Sequence, residues 1–335
     1  MKKLISVLNK FAGNKILPVC DNIKLDNGIA TLSNLENFVT FPIAYDGNNG
    51  LIDWEFLKKI VSKNENFSLN MTENFGEILS GKSKFKTPRY DMDNFPKLPE
   101  GKNFVGNITI DAEFKTLKNF LPDNAFRPQF TGVLFDFEKS EFVSTNAHIL
   151  KWLKIGGEIQ KDIKDRVIVN KTVFDIPNDN YSIYLSDNKE YIILQNTNNY
   201  NFYFRLIDAI YPDVSVVIPK DNPISINLNK KDLLEALDGT LLACNKTTYA
   251  IKLQCKENKV TIHSVDIDYS QEFTFEFSDI QNTDNIEIGF NSRFLNTIVK
   301  DIKADTINFA LSTPNRAGII NGNSLIMPLM LDNVY

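Results

Sequence analysis

Six short stretches with helical spacing recur along this chain, beginning near Met1, Asp53, Asp111, Asn170, Lys230 and Asn291, at intervals of 52, 58, 59, 60 and 61 residues. Near-even spacing over a whole chain signals internal repetition. Three copies also share a local pattern: Ile108-Thr-Ile-Asp-Ala-Glu-Phe, Ile226-Asn-Leu-Asn-Lys-Lys-Asp-Leu-Leu and Ile288-Gly-Phe-Asn-Ser-Arg-Phe-Leu. Each reads as a brief alternating strand, a side chain able to cap a helix (Asp111, Asn229, Asn291), and an amphipathic helix. Between the helices, alternating runs flank polar turns. Residues 130–137 are followed by a turn at Glu138-Lys139-Ser140, residues 181–185 pair in pattern with 191–194, and residues 249–254 with 260–265. These are antiparallel hairpins. A helix followed by several antiparallel strands, six times over, makes an α+β protein.

Two Pro-rich polar stretches divide the series. One runs through Pro96, the other through Pro212, each with an aromatic residue before the proline, and they lie 116 residues apart. The expected organisation is three domains of two modules each, over 1–102, 103–221 and 222–335.

Several function classes lack their signatures. The chain has no Gly-rich phosphate loop, no H-E-x-x-H and no G-x-S-x-G. Its two histidines, His148 and His263, are far apart, and His263 in an alternating strand reads as solvent-facing. Asp91 with Asp93, and Asp266 with Asp268, read as solvated loop carboxylates. Cys20, Cys244 and Cys255 make neither a CxxC pair nor an even set, so reduced thiols are expected rather than disulfides or a metal site. No enzyme, metal or cofactor is expected. The longest apolar runs are too short to span a membrane. The start, with Leu4, Val7 and Leu8 at helical spacing among Lys2, Lys3 and Lys10, reads as an amphipathic first helix rather than a signal peptide. A cytoplasmic protein is expected.

The charge is unevenly placed. The chain carries −5 with a pI near 5.3, which taken alone argues against nucleic acid. The six helical stretches, however, sum to +5, led by +3 over residues 1–11 and +2 over 291–303. If those helices share a face, that face is positive and suits a phosphate backbone, with lysines acting as hydrated point charges rather than base readers.

The motifs, in order, resemble those of the beta sliding clamp family of bacterial replicative DNA polymerases. Gly81-Lys-Ser-Lys-Phe-Lys-Thr-Pro leading to Asn94-Phe-Pro-Lys-Leu is similar to the family's G-R-S-R-F…FPNL. Thr131-Gly-Val-Leu-Phe and Val143-Ser-Thr-Asn-Ala-His-Ile-Leu resemble N-G-x-L-F and A-T-D-G-H-R-L. Val167-Ile-Val-Asn-Lys, Leu206-Ile-Asp-Ala-Ile-Tyr-Pro-Asp, Ile288-Gly-Phe-Asn and Ile326-Met-Pro-Leu-Met-Leu resemble V-I-V-P-R/K, L-x-D-G-x-F/Y-P-D, V-G-F-N and V-M-P-M-R-L. The resemblance covers the whole chain.

It implies three repeated clamp domains, each with two short helices packed on antiparallel sheets, in a subunit that pairs head to tail with a second copy as a dimeric ring. Twelve helix axes about 10 Å apart give a circumference of roughly 120 Å and, less the helix bodies, an opening of roughly 28 Å, wide enough for a duplex about 20 Å across. Double-stranded DNA would then be held by topology and weak, sequence-independent attraction. The residues implied to face it are Lys10, Lys15, Lys58, Lys59, Lys63, Lys115, Lys118, Lys230, Lys231, Arg293, Lys300 and Lys303. A peptide pocket is implied at Phe130, Thr145, Ala147, His148, Ile149, Leu150, Pro212, Val216, Val217, Leu325, Ile326, Met327, Pro328, Leu329, Met330 and Leu331, taking Gln-Leu-x-Leu-Phe-like segments of polymerase, clamp loader and repair proteins. Here Ala147 stands for the family's Gly, and Ile149, Val216 and Met330 for three of its arginines, so this pocket is more apolar and less positive. The segment Asp332-Asn-Val-Tyr runs past the usual end. Two other readings stand beside this one: a clamp-fold relative that does not load onto DNA, and a β-rich carbohydrate-active enzyme, which would need paired carboxylates in a cleft.

Overall fold

A computed structural model describes residues 4–122, 126–278 and 285–331. Lys2 and Lys3 of the expected first helix, and the segment after Leu331, lie outside the described residues. The chain forms two compact units. Unit 1 holds Met1–Lys115, Gly132–Glu141 and Lys154–Ala209; unit 2 holds Thr116–Thr131, Phe142–Leu153 and Ile210–Tyr335.

The repeat appears in chain order as a helix followed by three strands. Helix α1 (Ile5–Leu8) runs into a 3-10 turn at Asn9–Phe11 and precedes β1 (Asn22–Asp26), β2 (Ile29–Ser33), β3 (Asn37–Pro42) and a two-residue β4 (Asp46–Gly47). Then β5 (Gly50–Asp53) leads into α2 (Trp54–Lys63), β6 (Phe67–Met71), β7 (Phe75–Ser80) and β8 (Ser83–Pro88). Next, β9 (Asn103–Ile110) leads into α3 (Ala112–Thr116), a 3-10 turn at Leu117–Phe120, β10 (Gly132–Asp136), β11 (Glu141–Thr145) and β12 (Ile149–Lys154). The fourth copy is β13 (Arg166–Asn170), a 3-10 helix at Lys171–Asp175, β14 (Asp179–Leu185), β15 (Tyr191–Asn196) and β16 (Asn201–Arg205). The fifth is β17 (Ile224–Asn229), α4 (Lys230–Leu242), β18 (Ala250–Lys256), β19 (Lys259–Asp266) and β20 (Gln271–Phe277). The sixth is β21 (Ile286–Asn291), α5 (Ser292–Asp301), β22 (Thr306–Leu311), β23 (Gly318–Ile320) and β24 (Ser324–Ile326).

Five of the six helical starts use the same device. A helix leaves its first N–H groups without partners, and a short Asx side chain on extended backbone can accept from them. Asp53 accepts from Phe56 N, Asp111 from Phe114 N (2.8 Å), Asn170 from Thr172 N (3.1 Å), Asn229 from Lys231 N (2.8 Å) and Asn291 from Arg293 N (3.0 Å). The first helix has Leu4 in that place and no side-chain cap. The fourth never becomes α-helical. Its last residue is followed by Ile176, which precedes Pro177, and the residue before a proline is driven to extended backbone.

In unit 1, an eight-stranded sheet has the order β5-β1-β2-β3-β16-β15-β14-β9. It fuses the first and fourth copies through β3 and β16, paired from Asn201↔Thr40 to Phe204↔Asn37. Phe11 of the first copy packs at 5.6 Å and 5.7 Å from Phe202 and Phe204 of the fourth. In unit 2, the run β11-β12-β24-β23-β22-β17 fuses the third and sixth copies. Its join is Ile149↔Ile326, Leu150↔Leu325 and Lys151↔Ser324. Unit 1 also holds the β10–β13 pair and a four-stranded sheet β4-β6-β7-β8; unit 2 holds another, β20-β19-β18-β21. These two small sheets end in the edges β8 and β20.

Alternation decides which face of each strand is buried. Strand β19 buries Val260, Ile262, Ser264 and Asp266. His263 lies on the other face, half-buried rather than solvent-facing, with Nε2 2.8 Å from Glu272. Asp266 is buried and accepts from Asp268 N (3.2 Å), which corrects the expectation of a solvated loop carboxylate. All three cysteines are free and buried. The two Pro-rich stretches lie between β8 and β9 and between β16 and β17, outside the named strands.

Candidate functional site

The helix faces come first. Helix α2 buries Trp54, Leu57, Ile60 and Val61, so the 3.6-residue period turns Lys59 and Lys63 outward. Lys58 is less free: its Nζ donates to Asn9 Oδ1 (3.0 Å) and pairs with Glu55, tying α2 to the turn after α1. The Glu55 carboxyl is held below its ordinary range by that Lys58 hydrogen bond. Helix α5 buries Leu295, Ile298 and Val299 and exposes Arg293 and Lys300. The Arg293 guanidinium lies over the Tyr249 ring at 4.1 Å, a cation–π contact that fixes its direction. In α4, Lys231 is exposed, whereas Lys230 donates to the Ile302 carbonyl and serves the fold. Lys115 is half-buried, and burial pulls its ammonium below the usual range, with Asp175 opposing. Lys10, Lys15, Lys118 and Lys303 are exposed. Lys15 sits on a turn built by Asn14, whose Oδ1 accepts from Ile16 N (2.7 Å) and Leu17 N (3.2 Å).

The residues expected in the peptide pocket all belong to unit 2 and fall into buried supports and exposed side chains. Ile149, Leu150, Leu325 and Ile326 are the buried β12–β24 join itself. Thr145 is buried too. Its hydroxyl donates to Ile149 O (2.6 Å) and accepts from Ala147 N (3.0 Å). Asn146 Oδ1 accepts from His148 N and Ile149 N, both at 2.9 Å. These bonds hold Ala147 at φ 75°, a left-handed conformation that suits glycine better. The turn presents His148 at the surface, its ring stacked on Phe294 at 5.2 Å and 15°.

From there the segment after β24 is pinned at two points. Met327 N donates to His148 O (2.9 Å), and Leu329 N to Gly289 O (2.8 Å). A Cβ on Gly289 would lie 2.4 Å from Leu329 O, so this close approach requires glycine. Met327 and Met330 stand exposed, while Pro328, Leu329 and Leu331 are partly buried. A second cluster surrounds Phe130, which is buried edge-on against Tyr211 (5.8 Å). Beyond Pro212, the turn Val214–Val216 is capped by Asp213, buries Val214 and exposes Val216 and Val217.

Phe294, Tyr211, Gly289 and Val214 were absent from the sequence-based pocket. Phe294 was findable in principle, because it lies three residues after the Asn291 cap on a helix whose apolar stripe is legible. The others depend on contacts across the fold. Among the described residues, no group of three or more His, Cys, Asp or Glu side chains is placed to hold a metal ion, and no helix is long and apolar enough to cross a membrane.

A helix followed by three strands, repeated six times, with the first and fourth copies and the third and sixth joined through sheet edges, defines a clamp-type subunit. The comparisons agree. Residues 215–325 match the family model "DNA polymerase III beta subunit, C-terminal domain". A beta sliding clamp of Staphylococcus epidermidis is 26% identical over 347 aligned positions, covering 92% of this chain and 89% of that protein. A DNA polymerase sliding clamp from Pseudomonas aeruginosa, solved with a ligand, superposes with a TM-score of 0.83 at 21% identity, over 98% of this chain and 97% of that one. The Helicobacter pylori beta clamp bound to a DNA ligase peptide superposes with a TM-score of 0.78 at 19% identity, over 98% and 97%. Over most of its length the chain is similar to beta sliding clamps, and residues 215–325 match the family's C-terminal domain.

Proposed function

We propose that this protein is a non-catalytic sliding clamp. Two copies close head to tail around duplex DNA, and the ring tethers the replicative polymerase, the clamp loader and other partners through an apolar peptide site on unit 2. The six-fold repeat carries this reading, since only a chain of such copies supplies enough helices to line a hole of that size. The chain would divide into clamp domains at 1–102, 103–221 and 222–335, and work in the cytoplasm at the nucleoid. Exposed Lys10, Lys15, Lys59, Lys63, Lys118, Lys231, Arg293, Lys300 and Lys303 attract phosphates weakly; Lys58, Lys115 and Lys230 position the helices.

Closure by a second copy is supported by two sheet edges of opposite charge. Strand β8 exposes Lys84 and Lys86, and β20 exposes Glu272 and Glu276. Opposite charges facing across strands favour pairing. Beside β8, a hollow of about 360 Å³ is lined by Phe56, Ile60 and Phe85, with Lys59 and Lys63 at its rim. On unit 2, α4 packs against β20 and ends at Leu242, which is 77% exposed. An exposed leucine of this size fits such a hollow on the other copy.

The test is loading onto DNA. With a clamp loader and ATP, the protein should stay on a nicked circle through a gel-filtration column and be lost once the circle is cut. Equal loss from circle and linear DNA would defeat the clamp reading.

A further inference from the structure

The apolar surface of unit 2 carries two exposed methionines. Met327 is 40% exposed and Met330 56% exposed, while Met71 is fully buried. The three cysteines are buried, and burial pushes the Cys20 and Cys244 thiols up, away from the reactive thiolate. Met327 lies on, and Met330 directly after, a strip held at two points. Hydrogen bonds at Met327 and Leu329 anchor it to His148 and Gly289, and Pro328 between them fixes φ. A thioether is apolar and polarisable, and it moulds to Leu or Phe anchors; its sulfoxide is polar and chiral.

We propose that Met327 and Met330 form an oxidation-sensitive site that turns peptide docking off and on. The proposal rests on reading this surface as the peptide site. In the forward step a methionine Sδ lone pair attacks one oxygen of hydrogen peroxide. The O–O bond breaks and an S–O bond forms. The sulfur loses two electrons, and the peroxide's other oxygen leaves as water. In the reverse step a dithiol supplies two electrons through a sulfoxide reductase, with one reductase for each epimer, and the oxygen leaves as water. An oxidised strip would bury an S–O acceptor against an apolar anchor with no donor to meet it, which docking cannot tolerate without loss.

The experiment uses the full-length protein and a fluorescein-labelled Gln-Leu-Ser-Leu-Phe peptide. Peroxide treatment is followed by mass mapping of each methionine and by fluorescence polarisation. Sulfoxides should appear at Met327 and Met330 before Met71, and affinity should drop about tenfold or more, as one unsatisfied buried acceptor implies. The two reductases should restore it. The Met327→Leu, Met330→Leu variant sets its own starting affinity, and that affinity should be the same before and after peroxide. Full sulfoxide at both positions with unchanged affinity would overturn the proposal and leave the peptide site standing. So would an equal loss in the leucine variant. If neither untreated protein binds the peptide, the peptide site itself is wrong and the switch falls with it.

Discussion

Two kinds of sheet edge meet the eye in this fold, and they differ in what they cover. The joined edges, β3 with β16 and β12 with β24, bury apolar residues at their centre, Phe38, Val39, Phe202 and Phe204 on one and Ile149, Leu150, Leu325 and Ile326 on the other, with Asn37, Thr40, Lys151 and Ser324 buried beside them. The edges β8 and β20 instead expose charges at alternate positions, Lys84 and Lys86 against Glu272 and Glu276. An unpaired edge is a template for another chain, and charge on it limits which chain can pair. The difference teaches that the first kind holds each unit together, while the second carries the charge expected of the edges at which the proposed ring would close.

That contrast can be broken most decisively at a joined edge. Ile149→Asp places an unpaired carboxylate in a core shared with Ile226, Leu237, Ile251 and Phe309. An unpaired buried charge costs several kcal/mol against a total stability of about 5–15, so unit 2 should lose its cooperative melting transition. A variant that melts like wild type would show that the join is dispensable. At the free edge, Leu242→Arg should leave the melting of the subunit within about 0.5 kcal/mol, as for surface changes, yet shift the mass by light scattering from a dimer to the 38.2 kDa subunit. An unchanged dimer would detach Leu242 from the interface.

The next effect is smaller. Asn291 ends β21, and its side chain accepts from Arg293 N and Phe294 N to start α5. Asn291→Ala should cost about 1 kcal/mol by chemical denaturation, and it should also loosen Phe294, on which His148 stacks. If the contrast between the edges is right, peptide affinity falls while the dimer mass stays. Loss of dimer mass would mean the helix start serves the free edge as well.

Local chemistry explains how much was legible. The helix starts could be read because an Asx cap and a 3.6-residue stripe lie within one stretch of sequence, as at Asp111, Asn229 and Asn291. The hairpins could be read because β18 and β19 are a short turn apart. The joins could not: β3 and β16 pair across 161 residues, as between Thr40 and Asn201, and nothing in either strand names its partner. The pocket motif mixed two roles for the same reason. A motif marks position, not burial, so Ile149 and Leu325 of the core were grouped with Met327 and Val216 of the surface. Lys58 and Lys230 looked like their exposed neighbours until their acceptors, Asn9 and the Ile302 carbonyl, were in view.

The mildest change sharpens the contrast without touching a free edge. Ala147 lies in the turn that delivers β12 to its join, with φ at 75°, its own N–H held by Thr145 and the next N–H by Asn146. A non-glycine residue pays a steric penalty there. Ala147→Gly removes that strain but also loosens the unfolded chain, and the two effects oppose each other. With strain of about 1–2 kcal/mol against an entropy loss of about 0.5–1, the net should be a stabilisation of about 0.5–1 kcal/mol. Thermal melting checks it, with the dimer mass unchanged. A lower melting temperature would mean that the two side-chain caps, rather than the backbone, carry the turn, and that the join depends on Thr145 and Asn146 more than on the residue between their bonds.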